Sequence, residues 1–231
     1  MSTVEEKIYT IPVTEAFAKK DGCPLCRLMR DLDETERGLI MGASMMEPEI
    51  RIKTNELGFC ARHYEKLFAM KNRLSLGLML ESHLKEQADK IAIRKKALIG
   101  GDRSAKAAEN MKALSSSCYI CRRVEEKFEK MLSTVYYLWQ KEPSFRTSFA
   151  EQPYYCVPHA QRLLEHAGKL DKKERASFTE ALHTVQDAYM NALTEDVSWF
   201  CKKFDYRYEN EPWGNAKDAI ERAVKFLSGE D

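Results

Sequence analysis

Six of the seven cysteines and two of the five histidines of the chain form two copies of one spaced pattern. Each copy has a Cys-x-x-Cys pair, a long insertion and then a Cys-x-x-His pair. The eight residues are Cys23, Cys26, Cys60 and His63 in the first copy and Cys118, Cys121, Cys156 and His159 in the second. Three thiolates and one imidazole are a donor set that structural zinc sites use. The sequence therefore predicts two metal sites, with one zinc ion in each.

The spacing of each ligand pair suits a single ion. A Cys-x-x-Cys pair at a helix start can turn both sulfurs toward one ion, and a Cys-x-x-His pair lies on one helix face. The insertion would then be a helix that leaves the site and a turn that returns to it. We therefore expect each copy to form its own site, with Cys23, Cys26, Cys60 and His63 on one ion and Cys118, Cys121, Cys156 and His159 on the other. Four protein ligands indicate a closed structural site, because catalytic zinc usually keeps one position open.

Two other chemistries fit the same cysteines. An iron–sulfur cluster is held by thiolates, and a histidine can replace one of them. A Cys-x-x-Cys pair can also have a lowered thiol pKa and form a disulfide, although this chemistry does not explain the Cys-x-x-His pairs. The seventh cysteine, Cys201, lies in an apolar stretch and is expected to be a small buried residue. His83, His166 and His183 have no cysteine at ligand spacing and are not expected to bind metal.

The two copies also agree between their metal-binding pairs, which indicates an internal duplication. Glu34 and Arg51 of the first copy align with Glu129 and Arg146 of the second. Each arginine lies on the segment that must return past the helix carrying the glutamate. We therefore expect Arg51 to pair with Glu34 and Arg146 with Glu129, because a guanidinium group can engage a carboxylate through two hydrogen bonds.

The composition is that of an ordinary folded protein, with 231 residues, 44% hydrophobic and 32% charged residues, and a net charge of +1. A net charge so close to zero gives no general attraction for nucleic acid or an anionic membrane. No apolar run reaches the roughly 20 residues of a membrane span. Residues 1–20 lack the apolar segment of a secretory signal. We therefore expect a cytoplasmic protein, in which paired cysteines bind metal more often than they form disulfides.

Apolar residues recur at helical spacing, and no stretch shows the sustained alternation of a strand, so the predicted fold class is all-α. The predicted helices span residues 23–45, 60–71, 74–99, 119–141, 156–168, 171–204 and 216–227, with a short helical turn at 48–55. A polar connector from Gly100 ends at Ser115–Ser117, whose hydroxyls fit a cap for the next helix. This connector divides the chain into an N-terminal half, 1–100, and a C-terminal half, 101–231. Each half is predicted to be a helical unit with its own Cys3His site.

Several of these residues resemble a known family. Cys23-Pro24-Leu25-Cys26, Arg51 and the run Gly58 to His63 are similar to an uncharacterised bacterial family, a domain of unknown function common in Firmicutes. The segment Trp213 to Ala219 resembles the C-terminal segment of that family. The second copy departs from the pattern, since Tyr154-Tyr155 stands where the first copy has Gly58-Phe59. The resemblance implies a cytoplasmic setting and no particular reaction.

The pattern favours a metal-stabilised binding or regulatory module over an enzyme. In this interpretation zinc holds helix starts together and contributes directly to folding. The expected partner is a protein or a small molecule, and neither a membrane nor a nucleic acid is expected. The competing interpretation is an enzyme or electron carrier that uses an iron–sulfur cluster or reactive thiols. The sequence carries no signal for an oligomeric state.

Overall fold

All regular structure that the computed structural model describes, over residues 8–91 and 103–230, is helical. The α-helices are α1 (Thr10–Ala18), α2 (Pro24–Met41), α3 (Pro48–Leu57), α4 (Ala61–Ala69), α5 (Arg73–Ile91), α6 (Arg103–Ser115), α7 (Tyr119–Lys141), α8 (Pro143–Ala150), α9 (Val157–His166), α10 (Lys172–Lys202) and α11 (Ala219–Ser228). Short 3₁₀ turns lie at Ala43–Met46, Ala167–Lys169, Tyr206–Tyr208 and Gly214–Asp218. The all-α prediction is confirmed. None of the described helices is long and apolar enough to cross a membrane.

The long helices follow the apolar pattern closely. Helix α7 has the predicted ends, and the structure buries the whole predicted stripe, Val124, Phe128, Met131, Val135, Leu138 and Trp139. Helix α10 begins after Asp171, whose carboxylate accepts a hydrogen bond of 2.9 Å from the Glu174 N–H and so caps the helix. Helix α5 is described as far as Ile91, and the rest of the predicted helix 74–99 lies outside the described residues.

The predicted connector contains a helix, α6, over Arg103–Ser115. This segment has four alanines and two lysines among its 13 residues, and both residue types favour helix even where few side chains are buried. The predicted capping role of its serines is wrong. The Ser115 and Ser116 hydroxyls donate to the Lys112 carbonyl at 3.0 and 2.9 Å, and the Ser117 hydroxyl donates to the Leu57 carbonyl at 2.6 Å. These hydroxyls therefore satisfy carbonyls at helix ends and do not cap the N-terminus of α7.

Two prolines begin helices. Pro48 opens α3, which is longer than the predicted turn at 48–55, and Pro143 opens α8, which the sequence interpretation missed. Proline is favourable in the first turn because its missing N–H would have no partner there. The insertion of each copy is therefore a long outgoing helix followed by a short one.

By its internal contacts the chain divides into two compact units. Unit 1 comprises Met1–Asp31 with Phe128–Asp231, and unit 2 comprises Leu32–Lys127. This division differs from the predicted halves 1–100 and 101–231, because its boundaries fall inside α2 and α7 and not in the connector. Each unit therefore takes residues from both halves.

Unit 1 has an aromatic core. The Phe149 ring centroid lies 4.7 Å from that of Tyr155, 4.9 Å from Phe178 and 5.2 Å from Trp139. Phe17 of α1 joins this group, with its ring centroid 6.0 Å from that of Phe149. Aromatic pairs at such distances contribute about 0.5–1.5 kcal/mol each beyond the area they bury. Because Tyr155 directly precedes Cys156, this core fixes the start of α9.

In unit 2, polar side chains of α5 fix the end of α3. The Asn55 carbonyl accepts hydrogen bonds from His83 Nδ1 at 2.8 Å and from Gln87 Nε2 at 2.7 Å, while the Asn55 side-chain oxygen accepts one from the Ser82 hydroxyl at 2.7 Å. The last carbonyls of a helix have no partner within the helix and need such donors when they are covered. The chain leaves this point through Gly58 and reaches Cys60 two residues later.

Candidate metal centres

The eight predicted ligands gather into two groups of four. Centre 1 consists of Cys23, Cys26, Cys156 and His159, all in unit 1, and centre 2 consists of Cys60, His63, Cys118 and Cys121, all in unit 2. Within each group the four donor atoms lie within 4.8 Å of one another. The structure therefore brings together all eight residues that the sequence singled out, in two Cys3His sets.

The expected sharing of ligands within a copy is wrong. Each centre combines the Cys-x-x-Cys pair of one copy with the Cys-x-x-His pair of the other. Helix lengths explain the exchange. Helix α2 has 18 residues and α3 has 10, so at about 1.5 Å per residue the outgoing helix rises about 27 Å and the next recovers at most about 15 Å. Helices α7 and α8, with 23 and 8 residues, are still more unequal.

The donor atoms of centre 1 are close to the spacing that one tetrahedral ion requires. His159 Nδ1 lies 3.1 Å from Cys156 Sγ, 3.3 Å from Cys26 Sγ and 3.7 Å from Cys23 Sγ. The sulfurs of Cys26 and Cys156 are 3.5 Å apart. Bonds of about 2.3 Å to sulfur and 2.1 Å to nitrogen place the donors of a tetrahedral zinc ion roughly 3.6–3.8 Å apart. Small outward movements of the side chains would admit the ion.

Centre 2 has the same arrangement. His63 Nδ1 lies 3.2 Å from Cys118 Sγ, 3.3 Å from Cys60 Sγ and 3.3 Å from Cys121 Sγ. The Cys60 and Cys121 sulfurs are 3.7 Å apart. The Cys121 backbone N–H also donates to the Cys118 sulfur at 3.5 Å, as expected for a thiolate at the start of α7. The donor set fits one thiophilic ion of the size of zinc.

Both histidines turn Nδ1 toward the sulfurs, but their outer nitrogens have different partners. His63 Nε2 lies 2.6 Å from the Asp33 carboxylate, while His159 Nε2 lies 3.1 Å from the Met29 thioether sulfur. A carboxylate behind a metal-binding histidine fixes its tautomer and raises its basicity, whereas a thioether is only a weak acceptor. In centre 1 the ring of Phe128 packs 5.3 Å from that of His159. Asp33 and Phe128 occupy matching positions on the outgoing helices of the two copies.

The charges around centre 2 favour a neutral His63 and an ionised Asp33. Burial raises the pKa of the Asp33 carboxyl, but hydrogen bonds from His63 and Arg37 outweigh it and lower that pKa to about 2. Burial, together with the positive charges of Arg62 and Lys66, lowers the pKa of His63 by more than the contact with Asp33 raises it. The Nε2–H of a neutral His63 donates to Asp33, and the lone pair of Nδ1 faces the three sulfurs.

Without an ion, each centre contains one thiol with a lowered pKa and one with a raised pKa. Burial raises the pKa of Cys23, but hydrogen bonds with Cys156 and Cys26 bring it well below the usual value. Hydrogen bonds with Cys23 and Cys26, together with burial, raise the pKa of Cys156. In centre 2 the pKa of Cys60 is lowered, because hydrogen bonds from the His63 backbone and the neighbouring thiols outweigh burial. Burial and the neighbouring Cys118 raise the pKa of Cys121 to about 12. Metal binding would displace the protons that these thiols retain.

Centre 1 is covered by the chain that follows α11. The Glu230 backbone N–H donates to Cys26 Sγ at 3.4 Å. Gly229 has φ of +83°, and a Cβ at this position would lie 3.6 Å from Cys156 Sγ. The Glu230 carboxylate anchors this segment, since it lies 3.1 Å from the Tyr154 hydroxyl and 3.6 Å from Arg30. The three cysteines of centre 1 are accordingly 0–2% exposed.

Centre 2 opens on one side into a cavity. Cys60 and Cys121 are half-buried, whereas Cys118 and His63 are buried. The cavity has a volume of about 500 Å³ and is lined by Leu57, Cys60, Ser115, Ser116, Ser117, Cys118, Cys121, Arg122 and Glu125. The two centres thus have the same donors but unequal access from solvent.

The predicted arginine–glutamate pairs do not form. A guanidinium N–H of Arg51 donates to the Leu78 carbonyl, and Arg146 lies 3.0 Å from Glu174. Glu129 instead contacts Arg162 and, at 3.5 Å, His166. Arg51 therefore contacts α5, whereas Arg146 contacts α10 and also donates from Nε to the Trp139 carbonyl of α7 at 2.7 Å.

The remaining cysteine and the remaining histidines lie outside both centres. Cys201 is exposed and not buried, because it lies on the outer face of α10. His83 bonds the Asn55 carbonyl, and neither it, His166 nor His183 belongs to a described group of metal-binding side chains.

Sequence reasoning missed Asp33 and Glu230. In the sequence Asp33 was one acidic residue on the outgoing helix, and it did not stand out because that helix carries six other charged residues, Arg27, Arg30, Asp31, Glu34, Glu36 and Arg37.

The comparisons with known proteins agree with the resemblance noted in the sequence. A family model described as a family of unknown function (DUF6062) matches residues 4–231. An uncharacterized 23.9 kDa protein in the xynA 3′ region of Caldicellulosiruptor sp. (strain Rt8B.4) is 22% identical over 219 residues, which cover 91% of this chain and 97% of that protein. No solved structure matches the chain. Since the family model matches nearly the whole length, the chain belongs to the DUF6062 family of unknown function.

Proposed function

We propose that the protein is a zinc-stabilised helical protein that holds two ions per chain and acts as a binding or regulatory module, not as an enzyme. The observation that carries the proposal is the pair of Cys3His groups, each with four donor atoms within 4.8 Å of one another. Three thiolates and one imidazole at this spacing are the ligand set of a structural zinc ion.

The way each ion would join the chain supports a structural role. In centre 1 the ion would tie the start of α2 to the start of α9, and in centre 2 it would tie the start of α4 to the start of α7. Such segments are far apart in sequence, so their linkage stabilises the folded state, and the binding free energy becomes folding free energy. Four protein ligands also leave no open coordination position for a substrate.

The spacing of the donors disfavours the iron–sulfur alternative. Sulfurs that are 3.5 and 3.7 Å apart are spaced as expected around a single ion, whereas the bridging sulfides of a cluster hold cysteine ligands on different irons farther apart. A thiol-based reaction remains the second candidate function, and the half-buried Cys60 and Cys121 beside an open cavity favour it over a cluster.

The proposed setting is the cytoplasm, because six ligand thiols must stay reduced to bind metal. For the binding role, a small apolar molecule is favoured by a second cavity in unit 2, of about 340 Å³. Its apolar lining includes Phe59, Ile91, Met111 and Leu114, and its polar groups are Tyr64, His83 and Ser115. Its size lies within the range of small-molecule sites. The low net charge of +1 gives no support to a nucleic-acid partner.

The test is the metal content of protein purified without oxygen, by elemental analysis together with the visible spectrum. We expect about two zinc ions per chain and a colourless protein. Iron with visible absorption would instead support the redox alternative, and a protein without bound metal would refute the proposal.

A further inference from the structure

The two centres contain equivalent cysteine pairs whose exposure differs. Cys26 and Cys156 of centre 1 correspond to Cys121 and Cys60 of centre 2, since each pair joins the second cysteine of a Cys-x-x-Cys motif to the cysteine of a Cys-x-x-His motif. The sulfurs are 3.5 Å apart in the first pair and 3.7 Å apart in the second. The distances alone therefore predict similar reactivity.

Access to solvent separates the two pairs. Cys26 and Cys156 are 1% and 0% exposed beneath Gly229 and Glu230. Cys60 and Cys121 are half-buried and line the cavity of about 500 Å³. Oxidation of cysteine depends on thiolate character and on exposure, and metal binding makes all these sulfurs thiolates. Exposure is then the property that distinguishes them.

We propose that Cys60 and Cys121 form an oxidation site, at which a small hydroperoxide entering the cavity converts the two thiolates into a disulfide and releases the ion of centre 2. The inference rests on the proposed function, because it requires that a metal ion is bound. Centre 1 keeps its ion under the same conditions, since its cysteines are covered.

The chemistry balances with the hydroperoxide as the oxidant. One thiolate attacks the outer peroxide oxygen, the O–O bond breaks, and a sulfenic acid forms while hydroxide or alkoxide leaves and takes a proton from water. The second thiolate then attacks the sulfenic sulfur, the S–S bond forms, and hydroxide leaves. Two sulfurs lose one electron each and both peroxide oxygens are reduced. An ion held by centre 2 would then keep only His63 and Cys118 as ligands and would dissociate.

The experiment treats the metal-loaded full chain with about one equivalent of hydrogen peroxide per chain. The chain carries Cys201→Ser, because Cys201 is exposed and would consume oxidant. Released metal is measured with a chromogenic chelator, and disulfides are mapped by mass spectrometry of peptides. We expect about one ion per chain to be released together with a Cys60–Cys121 disulfide, and the Cys26–Cys156 pair to react at least roughly tenfold more slowly. Reduction with a dithiol, followed by added zinc, should refill centre 2.

A matched variant tests the role of the cover. Glu230→Ala removes the carboxylate that contacts Tyr154 and Arg30, and it should make the Cys26–Cys156 pair more reactive without changing centre 2. Equal release from both centres in the Cys201→Ser protein, or a fully loaded protein that forms no Cys60–Cys121 disulfide, would overturn the proposal. Protein that carries no metal before oxidation would instead refute the proposed function and, with it, the release of an ion.

Discussion

At the scale of single residues, the two centres differ most in what supports their histidines. The Asp33 carboxylate contacts His63 Nε2 at 2.6 Å, and Arg37 and Lys66 hold it at 2.7 and 3.3 Å. In centre 1 the Met29 sulfur takes the corresponding place beside His159. The Asp33 carboxylate should raise the metal affinity of centre 2, and centre 1 has the uncharged Met29 in its place.

Asp33→Asn tests this support. The substitution removes the charge that orients His63, and outer-shell changes of this kind typically lower metal affinity about 10- to 100-fold. We expect the affinity of centre 2 to fall by this factor while centre 1 is unchanged, measured by competition with a chelator of known affinity. Glu34→Gln is the control, since the neighbouring Glu34 is exposed. Equal affinity of centre 2 in both variants would show that Asp33 does not support the ion.

A second prediction concerns Gly58, which lies two residues before Cys60. Gly58 has φ of +57°, and a Cβ there would lie 2.8 Å from His83 Nε2. Gly58→Ala should therefore lower the free energy of unfolding by about 1–3 kcal/mol, from backbone strain and the clash. Gly77→Ala, in an exposed position of α5 with open space around it, should raise stability by about 0.5–1 kcal/mol. Urea unfolding of both variants checks this, and a neutral Gly58→Ala would contradict the described turn.

At the scale of elements, α2 and α7 decide which ligands meet. Both helices begin with a Cys-x-x-Cys pair and are followed by a much shorter helix, so neither copy brings its own Cys-x-x-His pair back to its start. The starts of α4 and α9 supply those pairs to the other copy's cysteines. An ion bound in either centre would therefore join parts of both copies.

Paired substitutions distinguish this exchange from ligation within each copy. Cys23→Ser with Cys156→Ser alters two ligands of one centre and should lower bound metal by about one ion per chain. Cys23→Ser with Cys60→Ser alters one ligand in each centre and should lower it by about two. Ligation within each copy predicts the reverse order. Elemental analysis of the two double variants decides, with circular dichroism to confirm that each remains helical.

At the scale of the whole molecule, each compact unit contains one complete centre. In unit 1 the aromatic rings around Phe149 pack beside the centre-1 segment, and in unit 2 the hydrogen bonds to Asn55 hold the end of α3. An ion that links distant segments of a unit should contribute to the stability of that unit, because it binds the folded state far better than the unfolded state.

Removal of metal by a strong chelator should lower the melting temperature. At a free metal concentration of a thousand times Kd, one site contributes about 4 kcal/mol. At roughly 2–4 °C per kcal/mol for a chain of this size, the melting temperature should fall by about 10 °C or more, measured by calorimetry. Added zinc should restore it, and added magnesium should not, since thiolates are poor ligands for magnesium. An unchanged melting temperature after verified removal would show that the ions are not structural.

From the sequence alone came the eight cysteines and histidines of the two centres, their two local spacings and the helical class. Spacings such as Cys23 to Cys26 and Cys60 to His63 are local, and helix geometry fixes them within a few residues. The apolar stripe of α7 likewise needed no tertiary information.

The tertiary structure was needed to show which pairs come together, where the compact units divide and which thiols solvent reaches. Cys26 and Cys156 are 130 residues apart in the sequence, and helix lengths and packing bring them together. Local spacing gives no information about such a contact. The protection of Cys26 depends on Glu230, at the far end of the described chain, and the exposure of Cys60 depends on a cavity that several elements line. These properties arise from long-range packing, and for this reason the sequence pattern could name the ligands but not the centres they form.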